Sequence, residues 1–299
     1  MNTKSLLHNK LIFAYAGLIL VIITWGVTPL TTLYFLNYFS STAFVIFNSF
    51  VPAIFLLILN RKKPGELNKY YFLAAIPTGI SNSLGEVLQK IGLYYTTPTH
   101  YAFLENLSCI VIPVLLFFFI KKKPSLLTIF SSVLCLLSCF ILSGIYQDAS
   151  VYSLTGDLLC ALAGISFGIN IAGTGAFAGK LHAPLYLMIQ MFAGGVVSAV
   201  GGSILHFTGF EHLRFSFDLP ILLFMLLYSL FVYTICWLLR TAAMKHIDAT
   251  IVGIMMPFSA VVTTILSILI GADTLSPSLV IGAALGLIAV ILSGLGARK

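Results

Sequence analysis

Three charged residues lie inside apolar stretches that are otherwise almost free of charge: Glu86, Lys90 and Glu105. A charged side chain at the centre of a lipid bilayer costs at least about 2.5–3.5 kcal/mol, so it needs a structural or functional reason. Glu86 and Lys90 are four residues apart, which places them on one face of a helix, where they can pair. A carboxylate can hold an amine or a proton, and a lysine can attract a carboxylate. These residue types therefore indicate chemistry directed at small charged solutes.

Glu86 and Glu105 flank a predicted tight turn near Thr97 and Pro98. At 1.5 Å per residue they lie roughly 15 and 12 Å from that turn, which predicts similar depths on adjacent helices. Two interpretations stay open. Either the Glu86–Lys90 pair only fastens its own helix, the third predicted one, to the fourth, or the cluster lines a central cavity. Because a poorly hydrated carboxylate binds a proton more readily, Glu105 and Glu86 are also the candidates for proton coupling.

Other polar and aromatic residues complete the predicted substrate site. Tyr233 and Trp237 are four residues apart on one later helix and either wall a cavity or form a packed face. Arg240 lies near the predicted cytoplasmic end of that helix. The favoured interpretation is that its side chain extends to the membrane–water interface. Trp25 is interpreted as an interfacial anchor. The full candidate set is Glu86, Lys90, Glu105, Asn82, Gln89, Asn106, Tyr101, Tyr233 and Trp237.

The elements that must position these residues are membrane-spanning helices. Of the 299 residues, 59% are hydrophobic and 8% are charged, whereas soluble domains carry about 25% charged residues. A spanning helix needs about 20 apolar residues. The sequence predicts an all-α polytopic membrane protein of ten such helices, near residues 11–30, 42–59, 70–94, 98–120, 125–145, 154–178, 184–207, 219–243, 247–270 and 277–297.

The distribution of basic residues predicts the topology. With ten helices, nearly all lysines and arginines outside the spans fall on one side, and Arg214 is the exception. The positive-inside bias then predicts a plasma-membrane protein with both termini in the cytoplasm. Because the basic residues are dispersed among loops, they indicate contact with the bilayer and not with nucleic acid.

Short matches relate the two halves of the chain. Residues 141–144 (ILSG) recur as 291–294, and Trp25-Gly26 matches Phe167-Gly168. The halves 1–150 and 151–299 would each hold five helices, an odd number, so the second would enter the membrane inverted. Inverted repeats are typical of transporters with a substrate site near the midplane. Stripes of small residues predict close helix contacts at Gly164, Gly168, Ala172 and Ala176, at Gly194, Ser198 and Gly202, and at Gly282 and Gly286.

Several kinds of chemistry have no motif in this chain. It contains no GxxxxGK[ST] or HExxH sequence, and residues 164–168 (GISFG), which match GxSxG, lie inside a predicted spanning helix and not at a strand-to-helix elbow. Neither nucleotide hydrolysis by that route nor an intramembrane hydrolase is therefore indicated. The five cysteines lie in apolar runs and are interpreted as small buried hydrophobes. The sequence predicts no enzyme, no cofactor and no metal. The alternative to a transporter is a non-transporting membrane component, such as a lipid-handling scaffold or an intramembrane enzyme.

The stretch 89–104 (QKIGLYYTTPTHYAFL), with Val111-Ile112-Pro113-Val114 after it, resembles the EamA-type members of the drug/metabolite transporter superfamily. Residues 243–257 and Trp25-Gly26 look similar to the same pattern. The resemblance implies a 5+5 inverted repeat, a central cavity and alternating access. It further implies ATP-independent export or exchange of a small polar or zwitterionic metabolite, such as an amino acid.

Overall fold

The computed structural model describes residues 3–61, 67–93, 95, 104–121, 123–143, 154–269 and 277–296. Within these ranges the chain is helical and contains no strand. We number the helices in chain order. They are α1 (Thr3–Leu36), α2 (Ser41–Leu59), α3 (Lys69–Leu93), α4 (Ser108–Ile120), α5 (Leu126–Ser143), α6 (Leu154–Ala178), α7 (Ala183–Phe207), α8 (Leu219–Ala243), α9 (Ala249–Met255 and Phe258–Leu269) and α10 (Pro277–Gly296).

Five of these helices have the length and apolar composition needed to cross a membrane: α1, α2, α6, α7 and α8. Four shorter apolar segments lie in α4, α5, α9 and α10. Helix α3 has 25 residues but is more polar, and it carries Glu86 and Lys90. Large apolar side chains cover the outer surfaces, among them Phe13, Leu73 and Phe207. The predicted all-α polytopic membrane fold is confirmed.

The packing of the helices follows the twofold repeat. For each of the main contacts between two helices, the corresponding helices of the other half make the equivalent contact. Helix α3 packs against α6 and α7, and the corresponding α8 packs against α1 and α2. In the same way α4 packs on α6 and α9 on α1, while α2 pairs with α7 and α5 with α10. The predicted boundary between residues 150 and 151 lies outside the described residues. Most of the close packing therefore joins one set of five helices to the other.

Small residues allow α3 to approach α7 closely. A Cβ placed on Gly79 would lie 2.1 Å from the carbonyl oxygen of Gln190, so a larger residue cannot fit without a shift. Nearby, the Ser83 hydroxyl donates to the Gly194 carbonyl at 2.8 Å and also contacts the Ser198 hydroxyl. The predicted helix contact at Gly194 and Ser198 is confirmed. This seam holds α3, and with it Glu86 and Lys90, at a fixed position.

The segment between α7 and α8 fastens the end of α1 to the start of α2. Arg214 donates to the Leu36 carbonyl at 2.8 Å, and its backbone exchanges hydrogen bonds with Ser40. The Glu211 carboxylate accepts hydrogen bonds from the Thr42 amide, at 3.3 Å, and from the Thr42 hydroxyl. A carboxylate at the first turn of α2 is favourable because helix N-termini carry partial positive charge. These contacts close the predicted outer face of the protein.

Two helices depart from regular α-geometry. In α8, residues Ser229–Cys236 form a π-helix, and the Thr234 hydroxyl lies 3.5 Å from the carbonyl of Ser229, five residues earlier. In α9, Pro257 separates the two helical segments, as expected of a residue that lacks a backbone donor. By contrast, Pro52, Pro77 and Pro113 lie inside continuous helices.

We expect Gly79→Ala to lower the apparent melting temperature of the detergent-purified protein, because the new methyl group meets the backbone of α7. Overpacking of this kind costs typically about 1–3 kcal/mol. The matched control is Gly201→Ala on α7, where a Cβ meets nothing within 4 Å. Both changes share the gain in helix propensity. Equal melting temperatures for the two variants would contradict the close contact.

Candidate functional site

Helix α3 carries a buried ion pair that faces neighbouring helices. The ammonium group of Lys90 donates to Oε2 of Glu86 and lies 3.4 Å from Oε1 of Gln89. From α8, the hydroxyl of Tyr233 donates to the same carboxylate oxygen at 3.3 Å. The two charged residues are only 8% and 6% exposed. The structure therefore brings together four of the predicted site residues, from two different helices.

Aromatic rings seal this pair. The Lys90 ammonium lies 5.4 Å from the centre of the Phe44 ring, a cation–π contact from α2. Phe44 also packs against Tyr228 and Tyr233, with ring centres 6.0 and 6.3 Å away. Tyr228 in turn lies 3.4 Å from the Thr32 hydroxyl on α1. Residues from α1, α2, α3 and α8 thus enclose the ion pair.

The space between α3 and α8 is bridged by side chains. These two helices are not among the pairs whose backbones pack closely, and Tyr233 reaches Glu86 across the gap. Asn82 lies one turn before Glu86 on α3 and is buried, and its Oδ1 has no hydrogen-bond partner among the described residues. A buried polar atom left unpaired costs about 1–3 kcal/mol. An unpaired acceptor next to an ion pair is suited to receiving a donor from a bound molecule.

The structure places the remaining predicted residues elsewhere or leaves them out. Glu105 is half-buried, and a Cβ on Gly164 of α6 would lie 2.8 Å from its carbonyl oxygen. The carbonyl of Asn106 accepts hydrogen bonds from the amide and thiol of Cys109 at the start of α4. Both α3 and α4 pack against α6, so Glu105 approaches α6 while Glu86 faces α8. Tyr101 lies outside the described residues.

Arg240 is a second buried cation, and the prediction that it reaches the interface was wrong. It is 3% exposed, and its Nη2 donates to Oδ1 of Asn170 on α6 at 2.7 Å. Its guanidinium carbon lies 3.9 Å from the centre of the Trp237 ring and 5.6 Å from that of Trp25. Trp25 is consequently no simple interfacial anchor, because its ring packs 5.6 Å from that of Trp237. The guanidinium stays inside because aromatic faces and an amide solvate it there.

Asn170 connects Arg240 to a polar network on α3, α6 and α7. Its Nδ2 donates to the Thr78 carbonyl at 3.0 Å, so its oxygen faces the guanidinium. The Thr78 hydroxyl lies 2.7 Å from the Tyr186 hydroxyl and 3.0 Å from Nε2 of Gln190. Because each member is held by another, the position of Asn170 is well defined.

A cavity lined by described residues lies away from both cations. Its volume is about 200 Å³, and it is bounded by the ends of α4, α5, α9 and α10, including Lys123, Thr128, Asp248 and Ser293. Lys123 belongs to a loop on the side that the sequence predicts to be cytoplasmic. Glu86, Lys90 and Arg240 are therefore closed off in this conformation.

One sequence signal could have identified Arg240. Helices α3 and α8 have equal lengths, and Lys90 and Arg240 occupy the same place in each, three residues before the last. A cation that recurs at equivalent positions of a repeat is a stronger sign of an interior role than either cation alone. Asn170 carried no such signal, because a single asparagine in an apolar run is not distinctive.

Comparison with known proteins shows the family and the fold of the chain. A model of the EamA-like transporter family matches residues 12–144 and again residues 154–295. An uncharacterized transporter from Archaeoglobus fulgidus is 24% identical over 286 residues, which is 96% of this chain and 87% of that protein. A solved crystal structure, described only as that of a protein, shares the fold with a TM-score of 0.72 at 15% identity, covering 95% of this chain and 98% of its own. The chain is a multi-pass membrane transporter that belongs to the EamA-like transporter family.

Proposed function

We propose that this protein is a secondary active transporter, an exporter or exchanger of a small polar or zwitterionic metabolite such as an amino acid. The observation that carries the proposal is the buried Glu86–Lys90 pair with Tyr233 across the gap between α3 and α8. The protein would expose this site to each side of the plasma membrane in turn, with both termini in the cytoplasm.

The ion pair suits a zwitterionic substrate because the substrate can replace each partner with a group of the same charge. An amine takes the place of the Lys90 ammonium on Glu86, and a carboxylate takes the place of Glu86 on Lys90. Each buried charge thus stays paired during the exchange, which avoids the cost of an isolated ion in the membrane interior. The free Oδ1 of Asn82 offers a further acceptor for the amine.

The sealed state of the pair fits alternating access. On the predicted outer side Glu211 and Arg214 fasten the α7–α8 segment to α2 and α1, and aromatic rings cover the pair. Neither the α7–α8 segment nor the aromatic cover alone gives transport, because a carrier must close its site to one side before it opens it to the other. The proposal therefore requires a second conformation in which α3 and α8 separate.

The first experiment is exchange across proteoliposomes that contain the full-length protein. Vesicles are loaded with a mixture of the protein amino acids, and an isotope-labelled copy of the mixture is supplied outside. We expect mass spectrometry to show label entering for one or a few compounds, and only when protein is present. Label entry equal to that of protein-free vesicles for every compound would contradict the proposed substrate class.

We expect Lys90→Met to lower the melting temperature strongly, because it leaves Glu86 buried without its partner. Breaking a buried pair in this way costs about 3–5 kcal/mol. The double variant Glu86→Gln with Lys90→Met should recover most of the stability, yet it should not transport the exchanged compound. The control is Lys69→Met, which removes an exposed lysine at the start of the same helix. Full transport by the double variant would show that the pair is only structural.

Proton coupling is proposed for Glu105 and Glu86. Glu86 faces Lys90 and Tyr233, whereas Glu105 lies on the α4 side of α6. We expect Glu105→Gln to flatten the dependence of the exchange rate on pH, with Asp218→Asn, an exposed carboxylate at the start of α8, as the control. An unchanged rate and an unchanged pH profile in Glu105→Gln would remove this residue from the coupling role.

A further inference from the structure

Arg240 has no counterion of its own. Among the described residues its hydrogen-bond partner is the neutral amide of Asn170 and its ring contacts are Trp25 and Trp237, while Tyr186 and Glu86 act on it electrostatically without a hydrogen bond. Arginine stays protonated in proteins, so its charge cannot be lost on burial. A buried cation of this kind costs several kcal/mol unless an anion joins it.

The buried charges of the described residues leave one positive charge in excess. Three acidic or basic side chains there are less than a tenth exposed: Glu86, Lys90 and Arg240. Glu86 pairs with Lys90, accepts from Tyr233 and also acts on Arg240 electrostatically, but one carboxylate cannot neutralise two cations. The half-buried Glu105 lies against α6 on the α4 side. A ligand that carries one negative charge would neutralise the interior.

The guanidinium also retains unused donor capacity. Its Nε is buried and has no hydrogen-bond partner among the described residues. Because the guanidinium is a planar fork, it can donate two parallel hydrogen bonds to one carboxylate. Asn170 holds the fork in place from one side, and the Thr78 carbonyl holds Asn170. The donors are therefore pre-positioned, which reduces the cost of ordering them when a ligand binds.

We infer that Arg240 is a binding site for the carboxylate of an organic monoanion, whose apolar body packs against Trp25 and Trp237. This inference rests on the proposed transport function and selects, among the small polar metabolites, a compound with one carboxylate and one net negative charge over a zwitterion. A phosphate monoester carries about −1.5 to −2 at neutral pH and would overcompensate the single excess cation. The two tryptophans supply the apolar surface that a hydrocarbon or aromatic body requires.

The chain contains two tryptophans, and both flank Arg240. Intrinsic tryptophan fluorescence of the purified full-length protein therefore reports on this site directly. The probes are 3-phenylpropionate, its neutral amide, the cation 3-phenylpropylamine, and phenyl phosphate. We expect a saturable change with the carboxylate and none with the amide or the amine. An equal response to the amide, or tighter binding of phenyl phosphate, would overturn the assignment.

Variants separate a binding role from a packing role. Arg240→Gln should weaken 3-phenylpropionate binding by about tenfold or more, because it removes a charged partner. Arg240→Lys should be intermediate, because lysine keeps the charge and loses the fork. Lys245→Gln, at an exposed lysine shortly after α8, is the control and should bind as the unmodified protein does.

Asn170→Asp keeps the proposal testable if Arg240→Gln does not fold. The new carboxylate gives Arg240 its own counterion and should abolish probe binding. Wild-type affinity in this variant would contradict the inference. Counterflow of labelled 3-phenylpropionate in proteoliposomes separates the two proposals. If the probe binds at Arg240 but does not cross the membrane, the proposed transport function is contradicted and the carboxylate site is not. If other solutes are transported but the probe does not bind, the carboxylate site is contradicted and the transport function is not.

Discussion

The hydrogen bond between Arg240 and Asn170 is the interaction on which the polar interior depends. It joins α8 to α6, and through the Thr78 carbonyl it reaches α3 and α7. In the hydrocarbon region no water can replace a lost partner, so each buried polar group must find one within the protein. The neutral amide satisfies one donor of the guanidinium but adds no negative charge to balance it. The rings of Trp25 and Trp237 pack against the guanidinium that this bond holds, and they supply no negative charge either.

The two cations occupy equivalent places in the repeat but different surroundings. Lys90 has a carboxylate one turn away on its own helix, and it contacts Phe44 from α2. At the position of Glu86, α8 carries Cys236, a residue that provides no charge. Arg240 must therefore take its contacts from other helices. The two halves share one architecture. They differ at this residue pair, so α3 carries an ion pair whereas α8 carries a cation without a carboxylate on its own helix.

Much of the fold was readable because lipid imposes simple rules. Apolar runs of spanning length predicted most of the ten helices to within a few residues, but α1 extends over Thr3–Leu36 instead of 11–30, and α4 begins at Ser108 instead of near residue 98. Small residues such as Gly194 indicated where helices touch. The Glu86–Lys90 pair followed from helical spacing alone. The sequence could not indicate that Tyr233 would reach Glu86, since Tyr233 lies in a π-helix, Ser229–Cys236, whose side-chain spacing differs from that of the α-helix assumed for the prediction. It misled at Arg240, because distance from a helix end says nothing about neighbours contributed by α1 and α6.

The uncompensated guanidinium also has a consequence for energetics across a polarised membrane. An elementary charge that moves through the full membrane potential changes its energy by about 2.3 kcal/mol per 100 mV. If Arg240 moves relative to the field as the protein alternates, the empty carrier transfers net charge, whereas the carrier loaded with a monoanion is neutral. Voltage would then act on the return of the empty protein and leave the loaded step almost untouched. The direction of net flux would depend on the membrane potential even without a coupled ion.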